Sequence, residues 1–307
     1  MLDDSAVKEL EAAAGRPGDK NVPASEFTTI GCGGPVSYII EADSSAHLAA
    51  ILDAVSRHAI PWYVIGRGSN MLVADSGWDG TMIRLVGDLR LCSRHADRIT
   101  CGGAAVMPQV VMFAAGEGLS GTEALASIPG TLGGAIDINA GANGVSIGDL
   151  VETVEVCFPG GTRTLDAAAL EFGYRHSSLP PESVVTQVTM ILKPGDSEAI
   201  TETIMSLRKK RDATQPRGQT FGSVFKNPPG GGSAGSLLEQ AGCKGMSSGA
   251  AAVSELHANF IMNLGGASAT DVQGLMDRCR RKVHDKFKVV LEPEVRLLGD
   301  VSLSPLP

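Results

Sequence analysis

Residues 62–85 read WYVIGRGSNMLVADSGWDGTMIRL, in which three short apolar runs are separated by turns of glycine, serine, asparagine and aspartate. This pattern predicts strands at 62–65, 71–73 and 82–85. Gly66 and Gly68 lie in the first turn, directly after a strand, where successive backbone N–H groups can bind one phosphate. The stretch therefore favours a sheet with an anion-binding turn, although an ordinary glycine-rich hairpin has the same pattern.

A second glycine-rich stretch, ASIPGTLGGAIDINAGA, spans residues 126–142. Glycine lets the backbone lie against a flat or charged ligand because it has no Cβ. The candidate contacts are Gly130, Gly133, Gly134, Asn139, Gly141 and Ala142. Together with the 66–70 turn, this stretch could line both sides of a pyrophosphate, and by itself it could equally be a turn of an ordinary sheet.

The remaining elements alternate between helices and strands. Apolar residues at helical spacing predict a helix at 46–58, after the capping candidates Ser44 and Ser45. A strand near 98–103 leads into another helix, and further strands are predicted at 151–158 and 182–194. Helices are predicted at 197–213, 234–241 and 268–287. The first two thirds of the chain are therefore mixed α/β, and the composition changes near residue 200.

Composition narrows the classes of function. The chain has 307 residues, enough for two or three domains, and a net charge of -8, which disfavours a general nucleic-acid or anionic-membrane surface. Its six cysteines include no C-x-x-C pair, so we expect reduced thiols and no metal site. The acidic start and the lack of any apolar run of membrane-spanning length predict a cytoplasmic protein.

Residues 221–228, FGSVFKNP, place Ser223, Lys226 and Asn227 between two phenylalanines and a proline. Considered alone, this stretch is typical of a buried turn that Phe221 and Phe225 anchor and the polar residues cap. A functional role for its polar residues is indicated only when the other segments of the chain are considered with it.

Seven segments, in order, resemble bacterial UDP-N-acetylenolpyruvoylglucosamine reductases. The resemblance spans nearly the whole chain from about residue 20. The segments are TTIGCGGP (28–35), VIGRGSNMLVADSGWDG (64–80), GLSGTEALASIPGTLGGAIDINAGANG (118–144), FGYRHS (172–177), GSVFKNP (222–228), VSELHANFIMN (253–263) and LEPEVRLLG (291–299).

The resemblance implies an α+β protein with the FAD-binding fold of vanillyl-alcohol-oxidase-type (PCMH) flavoproteins. It implies an extension at 1–20, an FAD-binding domain at 21–198 with two α/β subdomains split near 85, an α+β substrate-binding domain at 199–300, and a tail at 301–307. The implied FAD contacts are Gly66, Gly68, Ser69, Asn70, Ile128, Pro129, Gly130, Thr131, Gly133, Gly134, Ala135, Asn139, Gly141 and Ala142.

The implied reaction passes a hydride from NADPH through FAD to the enolpyruvyl group of a UDP-sugar, giving UDP-N-acetylmuramate. The resemblance assigns Ser223 as proton donor and Glu294 as a second residue at the substrate carboxylate. The planar fork of Arg175 suits that carboxylate. Glu294 either pairs with Arg175 or, as we favour, is a neutral acid whose pKa burial raises.

The implied substrate contacts are Tyr174, Arg211, Gln215, Lys226, Asn227, His257 and Asn259, and a packed structural role for His257 is equally open. Ser223 follows Arg175 by only 48 positions, as in the family class without a long substrate-capping loop. The sequence departs from the family at Gly31 and Leu256, where basic residues are usual, and in a PPGGGS loop at 228–233. We expect a monomer; the rival interpretations are a flavin oxidase of the same fold and a non-catalytic flavin- or nucleotide-sugar-binding protein.

Overall fold

The computed structural model describes residues 2–230 and 232–306. The predicted N-terminal extension, PPGGGS loop and C-terminal tail each include one residue outside these ranges, namely Met1, Gly231 and Pro307. The helices are α1 (Asp4–Ala14), α2 (Ser45–Arg57), α3 (Met107–Gly116), α4 (Leu132–Asp137), α5 (Ser197–Thr214), α6 (Ala234–Gln240) and α7 (Ala269–Phe287).

The strands are short. They are β1 (Asp19–Pro23), β2 (Pro35–Ala42), β3 (Trp62–Ile65), β4 (Met71–Val73), β5 (Trp78–Leu85), β6 (Cys92–His95), β7 (Arg98–Gly102), β8 (Leu119–Ser120), β9 (Gly141–Ala142), β10 (Val145–Ser146), β11 (Val151–Phe158), β12 (Gly161–Asp166), β13 (Val184–Ile191), β14 (Lys193–Pro194), β15 (Ser247–Ser248), β16 (Ala251–Val253), β17 (Ile261–Asn263) and β18 (Arg296–Leu298).

The larger sheets have the orders β1-β2-β5-β3 and β12-β11-β13-β7-β6. The five-stranded sheet is antiparallel throughout, whereas β3 and β5 run parallel. A three-stranded sheet has the order β15-β16-β17, and β18 pairs with β4 in parallel. The chain combines helices with both parallel and antiparallel strand pairs and is therefore an α+β protein, as predicted.

Local sequence signals located these elements well. The strands predicted at 62–65 and 71–73 are confirmed, and the third begins earlier, at Trp78. The hydroxyl of Ser44 accepts a hydrogen bond from the N–H of His47 at 3.3 Å, so it caps α2 as predicted. Ser268 and Asp271 form a capping box at the start of α7.

The chain forms two compact units. Unit 1 comprises residues 2–19, 38–66 and 80–211. One of its cores lies between α3 and the five-stranded sheet, and another packs α1 and α2 against β2 and β5. Beside the first core, the glycine segment at 128–135 is hydrogen-bonded to residues that directly follow β7.

Unit 2 comprises residues 20–37, 67–79 and the described residues from 212 to 306. Its core packs α7 with α6 and β16, and includes Phe221 and Phe225. Among the described residues, no helix combines the length and apolar character that crossing a bilayer requires. The boundaries expected near residues 20, 85, 198 and 300 stay predictions.

Candidate active site

The two glycine-rich segments meet in unit 1. A Cβ at Gly66 would lie 2.6 Å from the Oγ1 atom of Thr131, so only glycine fits there without displacing the threonine. The 130–133 backbone is fixed in turn, because the N–H of Leu132 donates to the carbonyl of Ala105 at 2.8 Å and that of Gly133 to Gly103 at 2.7 Å. The predicted flavin residues Gly66 and Thr131 are therefore neighbours.

Backbone donors in both glycine segments fit an anionic ligand. Gly134 is exposed, and its N–H donates to no acceptor in the described chain. In unit 2, the N–H groups of Gly68 and Ser69 likewise have no acceptor among the described residues. A backbone N–H group without a protein partner can donate to a pyrophosphate oxygen, so each segment by itself fits FAD.

Asn139 braces the second glycine segment. It is 6% exposed and has a φ of 41°. Its Nδ2 donates to the carbonyl of Gly173 at 2.9 Å, and its Oδ1 accepts from the N–H of Gly148 at 3.0 Å. Asn139 thereby ties the glycine segment to the FGYRHS segment, and its predicted contact with the cofactor stays a prediction.

Arg175 lies at the tip of a tight hairpin in unit 1. Gly173 and His176 exchange backbone hydrogen bonds of 3.0 and 3.3 Å, which close the turn. Arg175 has a φ of 54°, a conformation that costs a non-glycine residue about 1–2 kcal/mol. Its guanidinium carbon lies 5.4 Å from the ring centroid of Tyr174, whose side chain is 59% exposed. The fold thus holds this arginine in a strained conformation, as is common at functional positions.

Ser223 and Glu294 lie on paired segments of unit 2. The buried rings of Phe221 and Phe225 anchor the segment that carries Ser223, as predicted. Phe225 forms an antiparallel bridge with Pro293, and the N–H of Glu294 donates to the carbonyl of Val224 at 2.8 Å. Both Ser223 and Glu294 are half-buried. The structure therefore brings these two predicted catalytic residues onto adjacent segments.

Asn70 connects the glycine turn to the Glu294 segment. Its Nδ2 donates to the carbonyl of Glu294 at 3.1 Å, and its own carbonyl accepts from the N–H of Arg296 at 3.0 Å. These bonds extend the parallel pairing of β4 with β18. A predicted flavin residue and a predicted catalytic residue are thus joined within unit 2.

Asn259 clamps the backbone beside Ser223. Its Oδ1 accepts from the N–H of Phe225 at 3.0 Å, and its Nδ2 donates to the carbonyl of Phe225 at 2.9 Å. Its own carbonyl accepts from the N–H of Val224 at 2.9 Å, and the residue is 4% exposed. The observed contacts of Asn259 therefore position the Ser223 segment, and its predicted contact with substrate stays a prediction.

Lys226 and Asn227 contact the protein beside the same turn. The Nζ atom of Lys226 lies 3.7 Å from the carboxylate of Glu292, an exposed ion pair of the kind that adds little stability. The Oδ1 atom of Asn227 accepts from the N–H of Ala234 at 2.9 Å, which joins the loop after Pro228 to the start of α6. Substrate contacts for both residues stay predictions.

Arg211 and Gln215 flank the boundary between the units along the chain. Arg211 is half-buried in α5. The Oε1 atom of Gln215 is buried, and no described residue donates a hydrogen bond to it. A buried acceptor without a partner costs about 1–3 kcal/mol, so this atom is suited to a ligand or a water.

His257 packs against Phe260 with ring centroids 4.9 Å apart, and its Nδ1 accepts from the N–H of Asn259 at 3.2 Å. Burial lowers its pKa from the usual value of 6.5. The folded state therefore favours the neutral imidazole of His257, and the unfolded chain binds a proton at this residue more readily.

We expect the free energy of unfolding to contain a His257 contribution that is complete above pH 6.5 and is lost as pH falls through the lower pKa of the folded protein. Urea unfolding at about pH 8 and about pH 5 should show a smaller decrease for His257→Gln than for the wild type. An identical decrease in both proteins would show that His257 does not titrate in this way.

Two site residues were missed by sequence reasoning. Asn263 is 6% exposed, and its Nδ2 donates to the carbonyls of Ile30 and Gly31 at 2.9 and 3.2 Å. A Cβ at Gly31 would lie 2.7 Å from the side-chain nitrogen of Gln219. Gln219 thus occupies the space beside Gly31. The sequence signal for Asn263 was its position in the 253–263 segment.

Gly68 is the turn residue least able to accept a side chain. Its φ is +61°, and a Cβ there would lie 2.2 Å from the carbonyl oxygen of Phe27. We expect Gly68→Ala to lower the free energy of unfolding by about 2–4 kcal/mol through backbone strain and overpacking. Urea unfolding of the purified variant measures the loss.

Gly160→Ala is the matched control for this prediction. Gly160 has a φ of +88°, but a Cβ there would meet nothing within 4 Å. The Gly160→Ala substitution should therefore lower the free energy of unfolding only by the backbone strain, about 1–2 kcal/mol. Equal losses in the two variants would mean that the close approach of Phe27 has no energetic weight.

Comparisons with known proteins agree with this geometry. Residues 36–165 match the family described as FAD binding domain, and residues 214–298 match the C-terminal domain of UDP-N-acetylenolpyruvoylglucosamine reductase. The reductase of Anaeromyxobacter sp. (strain Fw109-5) is 40% identical over 92% of this chain and 88% of its own length. That of Heliobacterium modesticaldum is 42% identical over 91% of this chain and 90% of its own.

The fold of this chain is also similar to that of a solved structure. The crystal structure of UDP-N-acetylenolpyruvylglucosamine reductase (MurB) from Thermus caldophilus superposes with a TM-score of 0.79 at 36% identity. It covers 91% of this chain and 98% of that one. Both flavin segments and the Ser223–Glu294 pair fall inside the matched families, and the chain belongs to the UDP-N-acetylenolpyruvoylglucosamine reductase family.

Proposed function

We propose that this chain catalyses the NADPH-dependent reduction of UDP-N-acetylglucosamine enolpyruvate to UDP-N-acetylmuramate, a step of peptidoglycan precursor synthesis. The observation that carries the proposal is the pairing of the Ser223 and Glu294 segments through the 2.8 Å bond between the N–H of Glu294 and the carbonyl of Val224. Relatives at 40–42% identity named as this reductase support it.

The glycine segments would hold FAD, which would supply the hydride-transfer chemistry between NADPH and the terminal enolpyruvyl carbon. Hydride addition leaves negative charge on the neighbouring carbon and the carboxylate. The Ser223 hydroxyl donates the proton that neutralises that carbon, and solvent restores the proton to Ser223. Because a neutral hydroxyl adds no negative charge before the hydride arrives, it suits this position.

Arg175 supplies the fixed positive charge at the substrate carboxylate. Its planar guanidinium can hold both carboxylate oxygens and remains charged at any relevant pH. Glu294 donates a hydrogen bond there as the neutral acid. An infrared band of a protonated carboxyl that disappears in Glu294→Gln would support this state, whereas a carboxylate fully ionised near pH 5 would exclude it.

The remaining assignments rest on the resemblance and the observed positions. We assign the substrate diphosphate and sugar to Tyr174, Arg211, Gln215, Lys226, Asn227 and His257. We further propose that residues 21–198 bind FAD, that residues 199–300 bind substrate, and that the enzyme is a cytoplasmic monomer.

Anaerobic stopped-flow absorbance tests the function by separating its two half-reactions. NADPH should bleach the yellow flavin, and the enolpyruvyl substrate should restore the colour in the absence of oxygen. A flavin oxidase would need oxygen to recover its colour, and a non-catalytic binding protein would show neither change. Either of those results would reject the proposal.

A further inference from the structure

Two cysteines face each other in the five-stranded sheet of unit 1. Cys92 in β6 and Cys101 in β7 are direct partners in the antiparallel register. The N–H of Gly102 donates to the carbonyl of Leu91 at 2.8 Å, so that neighbouring pair is hydrogen-bonded. Cys92 and Cys101 therefore form a non-hydrogen-bonded pair, whose side chains lie closer together than those of a hydrogen-bonded pair.

The spacing of such a pair suits a disulfide. Cα atoms of a non-hydrogen-bonded antiparallel pair lie about 4.5 Å apart. Disulfides usually join Cα atoms separated by roughly 4.4–6.8 Å. Both cysteines carry free thiols, and as direct partners in the register they have the spacing of a disulfide without any change of strand pairing.

The two thiols differ in access and reactivity. Cys101 is fully buried, whereas Cys92 is half-buried on β6, the edge strand. A hydrogen bond with the Cys101 thiol lowers the pKa of Cys92, although burial opposes this shift. The same bond raises the pKa of Cys101, and burial adds to that rise. Cys92 is thus the more accessible and more readily ionised thiol of the two, and Cys101 is the thiol held beside it.

We propose that Cys92 and Cys101 form a site of reversible oxidation by low-molecular-weight disulfides. The Cys92 thiolate attacks the disulfide of the oxidant, forms a mixed disulfide and releases one thiolate of the oxidant. The Cys101 sulfur then attacks the sulfur of Cys92, and its proton passes to the second thiolate of the oxidant, which leaves as a thiol. Two protein thiols are oxidised, and the small disulfide is reduced to two thiols.

A second thiol pair provides an internal comparison. Cys243 and Cys279 in unit 2 also interact through a hydrogen bond between their thiols. Both side chains are buried, at 0% and 1% exposure, and neither lies on a strand. Because an oxidant cannot reach this pair in the folded protein, we expect it to stay reduced.

The site has a direct connection to the flavin segment. Two residues beyond Cys101, the carbonyl of Gly103 accepts from the N–H of Gly133 at 2.7 Å. Oxidation would therefore crosslink the strand that holds the second glycine segment in place.

The test incubates the folded full-length protein with glutathione disulfide, then denatures it and alkylates its free thiols for intact mass and peptide mapping. The wild type should lose two of its six alkylatable thiols and yield one crosslinked peptide pair containing Cys92 and Cys101. Dithiothreitol should restore all six. Cys101→Ser, or Cys101→Ala if the serine variant does not fold, should retain one glutathione on Cys92.

Cys92→Ser should take up no glutathione at Cys101, and Cys157→Ser, which removes a buried thiol of the same sheet, should crosslink like the wild type. The proposal is overturned if folded wild-type protein keeps all six thiols, or if its crosslink joins any other pair. Accumulation of glutathione on Cys92 in the wild type would also overturn it, because Cys101 would then not resolve the mixed disulfide.

Discussion

Ser223→Ala is expected to slow reoxidation of the reduced enzyme by the enolpyruvyl substrate about 10²–10⁴-fold. The variant should still be reduced by NADPH at the wild-type rate, because no proton from Ser223 is used in that half-reaction. A loss confined to the second half-reaction is the signature of an interaction made only in its transition state. Anaerobic stopped-flow absorbance of the flavin measures both rates in one preparation.

Ser233→Ala is the matched control for this experiment. The Ser233 hydroxyl caps α6 by accepting from the N–H of Ser236 at 3.1 Å, in the loop that follows the Ser223 segment. Its loss should cost about 0.5–2 kcal/mol of stability and leave both half-reactions unchanged. If Ser223→Ala slowed the two half-reactions equally, its effect would lie in flavin binding, and the proton-donor role would be wrong.

Asn259→Ala is expected to lower the free energy of unfolding by about 2–6 kcal/mol, because it leaves both the N–H and the carbonyl of buried Phe225 without a partner. The Ser223 segment would then lose the clamp that fixes its backbone. We therefore expect the substrate half-reaction to slow as well, while NADPH still reduces the flavin. Urea unfolding and the two stopped-flow rates measure these effects.

Two further variants separate positioning from stability. Asn259→Asp keeps an acceptor for the N–H of Phe225, and its protonated carboxyl can donate to the Phe225 carbonyl, so it should retain more stability than alanine when unfolding is measured at acidic pH. Asn263→Ala removes an equally buried amide that holds Ile30 and Gly31. If Asn259→Ala and Asn263→Ala lost similar stability and affected the half-reactions alike, Asn259 would have no special role in placing Ser223.

Local signals predicted much of the fold. Helix α2 follows from apolar spacing and the Ser44 cap, and the strands around Gly66 and Gly68 follow from short apolar runs between turn residues. These elements depend on residues within a few positions of one another, so their physical causes are readable along the chain. Seven collinear motifs also identified the family, as the comparisons show.

Hydrogen bonds between residues far apart in the sequence could not be predicted from local pattern. The amide of Asn259 was predicted to contact substrate, and that contact stays a prediction; its observed partner is Phe225, 34 positions away. Nothing in the single sequence distinguishes an asparagine that binds a ligand from one that satisfies buried backbone groups, because the same donor and acceptor serve both uses. For the same reason, the brace from Asn139 to Gly173 could not be foreseen.

The sequence by itself determined the secondary-structure elements, the family, and the residue types available for catalysis, since each depends on local pattern or on the order of motifs. Tertiary structure alone decided that Glu294 pairs with the Ser223 segment, that Gly68 lies against Phe27, and that Cys92 faces Cys101. Those contacts depend on strand register and chain reversal. Register arises from the packing of whole faces, so no single stretch of residues encodes it.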